Sequence, residues 1–170
     1  FADDFAFLDS QGLGDWYPAS RTEDDSLWIV VARADTRVGE AAIYDRRAKS
    51  LRSLGSARPE LEGAPLASMR PAIIRSRDGL DLVSYLTRPL DAQAPGPLVL
   101  LVHGGPWARD SYGFDGLHQW LANRGYAALS VNFRSSTGFG KAFLNAGDRE
   151  WGRRMDDDLS DAVAWAVAEG

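Results

Sequence analysis

The stretch Leu98–Trp107 reads Leu-Val-Leu-Leu-Val-His-Gly-Gly-Pro-Trp and decides the fold. Its consecutive apolar residues predict a strand buried on both faces, as in a parallel sheet covered by helices. The run stops at Gly104 and Gly105, whose missing Cβ atoms let the backbone bend sharply and come close to a ligand. A buried strand that delivers such a loop at its carboxyl end is typical of ligand sites in α/β sheets. A tight strand-to-helix turn without chemistry is the alternative interpretation.

A strand–helix–strand pattern continues from this stretch. A helical periodicity follows the glycines, with Leu117 and Leu121 on one face, and Tyr126–Val131 reads as the next strand. This spacing predicts a right-handed βαβ unit with parallel strands. His118 falls inside the helix, and we expect it to lie at the surface or to be half-buried.

The sequence also predicts the secondary-structure elements on either side of this βαβ unit. Pro71–Ser76 and Leu80–Thr87 flank Asp78-Gly79, and Asp-Gly between two strands is a strong hairpin signal. We expect a mainly parallel sheet after this hairpin. A Pro-rich loop and two helices complete this half, at Arg88–Pro97, Gly138–Ala146 and Met155–Ala168.

The first part of the chain reads as all-β. Phe5–Leu8 is a short candidate strand and Asp9–Pro18 a loop. Short strands separated by turns suit a sandwich, a barrel or a propeller blade. Arg58–Ala67 is the natural linker, so we expect two domains, residues 1–68 and 69–170. The stronger strand signals lie at Leu27–Ala32, Ala41–Tyr44 and Ser50–Leu54.

Composition excludes several classes of protein. The 170 residues carry a net charge of −5, which argues against a nucleic-acid partner bound through its phosphates. There is no cysteine and there are only two histidines, so neither a thiolate nor a multi-histidine metal site is expected. No apolar run is long enough for a membrane span. We expect no cofactor and no membrane partner, while the oligomeric state does not follow from the sequence.

The first residue is Phe1 rather than Met, and the chain ends at Gly170 just after a predicted helix. We therefore expect both ends to lie inside a longer protein. The working expectation for its compartment is the cytoplasm.

Four motifs of the second half come in a characteristic order and spacing, namely His103–Trp107, Asn132–Gly140, Trp151-Gly152 and Met155–Leu159. In this order and spacing the chain resembles the prolyl oligopeptidase family, most closely its acylaminoacyl-peptidase and dipeptidyl-aminopeptidase branch. The resemblance covers residues 69–170. Residues 1–68 resemble the last part of that family's N-terminal β-propeller, on the strand pattern and on Tyr44-Asp45-Arg46. Ser135 is a departure, since the family usually has glycine there, and a positive φ at that position would be costly for serine.

The resemblance implies an α/β fold, in which the N-terminal part of an α/β-hydrolase sheet is preceded by antiparallel, propeller-like strands. It also implies a serine peptidase that cleaves short peptides through an acyl-enzyme, with the Gly105 N–H as an oxyanion donor. No Gly-x-Ser-x-Gly motif occurs in the sequence, and in this fold the Asp and His of the triad follow the Ser. We therefore expect all three triad residues to be absent from this chain and the segment alone to be inactive.

Five further residues have expected roles. His103 precedes the oxyanion glycine and is expected to brace the loop with Gly104; a general-base role is the alternative. Trp107 and Phe139 are candidates for the walls of a substrate cleft, and ordinary core packing is the alternative for each. Arg134 follows a buried strand, and its planar guanidinium suits a bidentate carboxylate.

The carboxylate expected to pair with Arg134 is Asp158, in the run Asp156–Asp158. Three consecutive carboxylates could also suggest a metal site. On a helix, however, they point in different directions, and at a helix start they favour the positive end of the dipole. We therefore expect a structural role and no metal.

Two other functions remain open from the sequence. An esterase or lipase of the same hydrolase fold shares the His-Gly-Gly loop, but the β-rich first part argues against it. A non-catalytic binding module that kept the fold and lost its triad is the third hypothesis. A Gly-x-Ser-x-Gly motif in the sequence that follows would distinguish an enzyme from a binding module.

Overall fold

The strands form two separate four-stranded sheets in the computed structural model, which describes residues 1–92 and 95–170. Residues 93 and 94, inside the expected loop Arg88–Pro97, lie outside the described residues. The chain divides into two compact units, Phe1–Leu66 and Ala67–Gly170, called here the first and second unit. The domain boundary predicted from the sequence, after residue 68, lies two residues further along the chain than this division. Leu27–Ala32 and Leu98–Leu101 lie in different sheets, as predicted, although the expected strand Leu98–Val102 ends one residue earlier.

The first unit is a helix followed by an antiparallel sheet in which each strand pairs with its neighbours in sequence. The three strands with the stronger signals are present and longer than expected. The region Asp9–Pro18, expected to be a loop, contains the start of an additional strand. The elements are α1 (Ala2–Ser10), β1 (Asp15–Arg21), β2 (Leu27–Ala34), β3 (Arg37–Asp45), β4 (Ser50–Ser56) and a short 3₁₀ turn (Pro59–Leu61).

The prediction of a strand at Phe5–Leu8 is wrong, because these residues belong to α1. The helix places Asp4 and Leu8 one turn apart on the same face, and both are buried. Leu8 packs against Trp28 and Tyr44 in the core of this unit. Burial of this face stabilises the helix, which the alternation of apolar residues did not indicate.

The second unit contains a mixed sheet with the spatial order β5-β6-β8-β7. The expected hairpin is β5–β6, with Gly79 at a φ of +96° in its turn. The predicted parallel βαβ unit is β7-α2-β8, but β6 pairs antiparallel with β8, so the sheet is mixed rather than mainly parallel. The elements are β5 (Met69–Arg75), β6 (Asp81–Thr87), β7 (Leu98–Leu101), α2 (Gly116–Ala122), β8 (Ala127–Val131), α3 (Lys141–Asn145) and α4 (Arg154–Ala168).

The core of the second unit lies between the sheet and α3 and α4. Leu129 and Val131 of β8 are fully buried there, together with Ala162 of α4. The residues of β7 are only half-buried, although the sequence predicted burial on both faces. The physical reason is that β7 pairs on one side only, with β8, among the described residues.

The orientation of α2 differs from the prediction. Leu117 is 52% exposed, whereas His118 is 1% exposed and faces the sheet. The ring nitrogens of His118 bond the hydroxyls of Thr87 and Ser130, at 2.9 and 2.8 Å, and burial lowers the pKa of the imidazole. Asp115 fixes the start of the helix, because its carboxylate accepts from the backbone N–H groups of Leu117 and His118. His118 is therefore a satisfied core histidine, and the expectation of a surface position is wrong.

Among the described residues, no helix is long and apolar enough to cross a membrane.

Candidate active-site loop

The glycine loop, Val102–Asp110, follows β7 and carries the predicted oxyanion glycine. Gly105 has a φ of +132°, a backbone conformation that side chains rarely adopt. A Cβ placed on Gly105 would lie 2.7 Å from the backbone nitrogen of Trp107, whereas a Cβ on Gly104 would meet nothing within 4 Å. Only glycine therefore fits at residue 105, whereas the space around residue 104 would accept a larger residue.

Gly105 is an exposed residue, and within residues 1–92 and 95–170 its backbone N–H donates no hydrogen bond. Gly105 also lines a cavity of about 230 Å³. Apart from His103 and the two glycines, that cavity has an apolar lining; its wall consists of His103, Gly105, Pro106, Phe133, Trp151, Gly152 and Met155.

His103 is engaged on both ring nitrogens. Its Nε2 is hydrogen-bonded to Ser136 Oγ at 2.9 Å and its Nδ1 to the carbonyl oxygen of Gly104 at 3.0 Å. The ring also stacks on Phe133, with centroids 4.7 Å apart. These contacts join the glycine loop to the segment after β8, which is the arrangement expected of a bracing residue.

The segment Asn132–Thr137, called here the arginine loop, follows β8 and is held by Arg134. This side chain is 2% exposed, and its guanidinium bonds Asp158 through Nε at 2.9 Å and Nη2 at 2.6 Å. The predicted Arg134–Asp158 ion pair is thus present. Sequence reasoning missed a second partner, Asp78, whose two carboxylate oxygens accept from the same guanidinium at 2.9 and 3.0 Å.

The electrostatic effect of this cluster is strong. The hydrogen bonds that Arg134 donates to Asp158 and Asp78 raise the pKa of its guanidinium despite its burial. Hydrogen bonds from Arg134, supported by Ser76, lower the pKa of Asp78 to about 2. Arg134 and Asp78 are therefore charged at neutral pH, and together with Asp158 they connect the β5–β6 hairpin, the arginine loop and α4.

The acidic run at the start of α4 is divided among different partners. Asp157 bonds Arg77, Asp158 bonds Arg134, and Asp156 is exposed. In the part of the chain that the structure describes, no three acidic or histidine side chains form a group that could hold a metal ion. The run therefore anchors α4 to its surroundings.

Ser135 has a φ of +75°, the costly conformation anticipated for a serine at this position. Its Oγ donates to the carbonyl oxygen of Leu144 at 2.7 Å, and its N–H donates to the carbonyl oxygen of Phe143 at 3.1 Å. These bonds attach the arginine loop to α3 and offset part of the strain.

The two aromatic candidates do not line the cavity. Trp107 is 67% exposed. Phe139 packs edge-on against Phe143, with centroids 5.3 Å apart, and the Arg109 guanidinium lies 4.6 Å above its ring. Sequence reasoning missed the two aromatic residues that do line the cavity, Phe133 and Trp151, of which Trp151 is 68% exposed. Their signal was available, since both lie in the four motifs.

Comparisons with known proteins show which family the chain is similar to. Residues 112–170 match the model of the prolyl oligopeptidase family. The chain is 57% identical to dipeptidyl aminopeptidase BIII of Pseudoxanthomonas mexicana, over 98% of this chain and 25% of the relative. It is 36% identical to dipeptidyl peptidase family member 6 of Caenorhabditis elegans, over 100% of this chain and 26% of the relative. The chain thus spans about a quarter of the length of these relatives.

Solved structures share the fold. A puromycin-hydrolysing peptidase of Mycobacterium tuberculosis superposes with a TM-score of 0.74 and 25% identity, over 85% of this chain and 23% of that one. Acylaminoacyl peptidase of Pyrococcus horikoshii superposes with a TM-score of 0.72 and 22% identity, over 91% of this chain and 25% of that one.

The mixed sheet and its glycine loop share the fold of these solved structures, which belong to the class of the α/β-hydrolase peptidases. Within that class the chain belongs to the prolyl oligopeptidase family, and the resemblance inferred from its four motifs is confirmed.

Proposed function

We propose that this chain is the part of a serine peptidase that supplies the oxyanion donor, the backbone N–H of Gly105. The observation that carries the proposal is that this N–H has no acceptor among the described residues while Gly105 lines a cavity. During acyl transfer, a preorganised N–H at this place would stabilise the negative charge that develops on the scissile carbonyl oxygen. The substrates proposed are short peptides, in keeping with the peptidase names of the relatives.

The nucleophile, its base and the orienting acid are proposed to come from sequence outside this chain. Neither serine of the arginine loop suits a nucleophile. Ser136 is 0% exposed and bonded to His103, and Ser135 is 1% exposed and bonded to Leu144. An acyl-enzyme needs an accessible hydroxyl beside a base, so the 170-residue chain alone is expected to be inactive.

The first unit is proposed to be the end of a β-propeller. Its four strands are antiparallel and follow one another in space as they do in sequence, as in a propeller blade. One face of the sheet packs on α1. Ile29, Val31 and Ile43 alternate with the buried residues and lie half-buried on the other face, which suits contact with a further blade.

The test compares two glycine variants in the full-length protein that carries this chain. Gly105→Ala forces a Cβ against the Trp107 backbone, so we expect kcat for a peptide p-nitroanilide to fall roughly 10²–10³-fold. Gly104→Ala has open space around the new methyl group and is expected to change kcat at most several-fold. A Gly105→Ala variant with wild-type kcat would contradict the assignment of the donor.

A fluorophosphonate separates the enzyme from the binding module. The full-length protein is expected to form one covalent adduct, detected by intact mass, and the 170-residue chain none. A full-length protein without adduct or turnover would contradict the serine peptidase proposal. A stoichiometric adduct with turnover on the short chain would place the nucleophile inside it and contradict the proposed position of the triad.

A further inference from the structure

Asn132 is a fully buried polar side chain at the end of β8, with 0% of the residue exposed. Its Oδ1 accepts from the backbone N–H of Asp110 at 2.9 Å. Its Nδ2 donates to the carbonyl oxygen of Asp110 at 3.2 Å and to that of Val83 at 3.0 Å. The amide thus uses its acceptor and both of its N–H bonds, a complete set for a buried group.

This pattern fastens the end of the glycine loop to the sheet. The side chain pairs with the N–H and the C=O of one residue, Asp110, as a neighbouring strand does in a ladder. The bond to Val83 connects the same side chain to β6, and the backbone N–H of Asn132 donates to that carbonyl oxygen as well, at 3.0 Å. The last residue of the loop is therefore fixed relative to two strands.

Two other contacts hold the loop nearer to Gly105. The N–H of Thr137 donates to the carbonyl oxygen of Ala108 at 2.8 Å, and Ser136 is bonded to His103. Gly105 lies between His103 and Ala108, and its own N–H is unpaired among the described residues. The direction of that N–H is consequently set by where the arginine loop holds the flanking residues.

We infer that Asn132 is a positioning residue for the oxyanion donor: its side-chain amide holds the glycine loop so that the Gly105 N–H faces the reacting carbonyl. The inference rests on the proposed function, because it needs Gly105 as the donor. Only an amide meets the requirement, since an ionised aspartate offers acceptors alone and would face two carbonyl oxygens.

The experiment uses Asn132→Asp in the full-length protein, with Asn123→Asp as the matched control. Asn123 lies exposed at the end of α2. We expect Asn132→Asp to lower kcat for a peptide p-nitroanilide about 10- to 100-fold with KM within about threefold, because a misplaced donor weakens the transition state more than the bound substrate. The control is expected to retain wild-type kcat.

A readout specific to the donor completes the test. Affinity for a peptide boronic acid, whose adduct with the serine mimics the tetrahedral intermediate, should fall in parallel with kcat, while affinity for the product peptide stays unchanged. Thermal unfolding shows whether the variant is folded at the assay temperature. If Asn132→Asp does not fold, Asn132→Ser, which removes the amide without adding charge, is measured in the same way.

The outcomes separate the two proposals. A folded Asn132 variant with wild-type kcat, or one whose boronate and product affinities fall equally, would overturn the inference and leave the proposed function intact. A wild-type protein without fluorophosphonate adduct or turnover would overturn the proposed function and the inference with it.

Discussion

In each unit a buried charged side chain lies between two side chains of opposite charge, but the sign is inverted. In the first unit the buried group is the Asp4 carboxylate, held by Arg46 at 2.9 Å and Lys49 at 2.6 Å. In the second unit it is the Arg134 guanidinium, held by two carboxylates. Both clusters join elements that are distant in sequence.

The clusters differ in whether the partners can reach water. The side chains of Arg46 and Lys49 are 27% and 40% exposed, so either cation can be solvated if Asp4 is lost. The side chain of Asp158 is 0% exposed and has no such alternative. A buried charge is costly when its partner is removed, so the exposure of the partners decides how much each cluster matters for stability.

The largest effect is expected for Arg134→Met. This change leaves the Asp158 carboxylate buried and uncompensated, and we expect the free energy of unfolding of the second unit to fall by about 3–5 kcal/mol. Hydrogen exchange of peptides from β6 and β8, followed by mass spectrometry, measures the loss unit by unit. Arg75→Met is the control, because the Arg75–Asp81 pair is 68% and 59% exposed and worth at most about 1 kcal/mol. Equal effects of the two variants would contradict the comparison.

A smaller effect is expected for Asp4→Asn in the first unit. The amide still accepts from Tyr44, and Arg46 and Lys49 turn to water, so we expect a loss of about 1–3 kcal/mol. Hydrogen exchange of peptides from β2 and β3, followed by mass spectrometry, measures this loss of stability. Asp3→Asn, an exposed neighbour in the same helical turn, should leave the exchange unchanged. A loss as large as that of Arg134→Met would show that exposure of the partners does not control the cost.

The smallest effect at neutral pH is expected for Asp78→Asn, because Asp78 is 32% exposed and Arg134 keeps Asp158; we expect about 1 kcal/mol. The pH dependence of the stabilisation contributed by Asp78 is more informative than its size at neutral pH. The pKa of Asp78 is lowered to about 2, so its stabilisation is fully present above its ordinary value of 3.8 and is lost as the pH falls towards 2.

Acid titration of the second unit, followed by hydrogen exchange, checks this sign. The wild type should lose stability more steeply between about pH 4 and pH 2 than Asp78→Asn, because the variant lacks this carboxyl. Parallel acid profiles would contradict the pairing of Asp78 with Arg134.

The comparison also shows which contacts a sequence can reveal. The Arg134–Asp158 pair was predictable because an arginine after a buried strand needs a carboxylate, and the family motifs placed one on α4. The Asp4 cluster was not predictable, since its carboxylate meets Arg46 and Lys49 only after α1 folds onto the turn between β3 and β4, which is distant in sequence. Asp78 was read for its turn propensity alone, and nothing local indicated that its carboxylate points towards Arg134.

The same limit applies to the candidate site. The glycine loop, its strand and the bracing His103 followed from local pattern and resemblance. The orientation of α2 did not, because the hydroxyls of Thr87 and Ser130 decide that His118 rather than Leu117 faces the sheet. The role of Asn132 was hidden for a similar reason, since its partners lie on another strand and another loop.

The order of strands has a consequence for how quickly each unit can form. In the first unit every pairing joins consecutive strands, so the sheet can grow from contacts that are local in the chain. In the second unit β6 pairs with β8, and Ser84 meets Val131 only after β7 and α2 have been spanned. Closing that long loop costs conformational entropy before any stabilising contact between β6 and β8 can form. We therefore expect the first unit to fold faster, and the arginine loop, which follows β8, to be completed late.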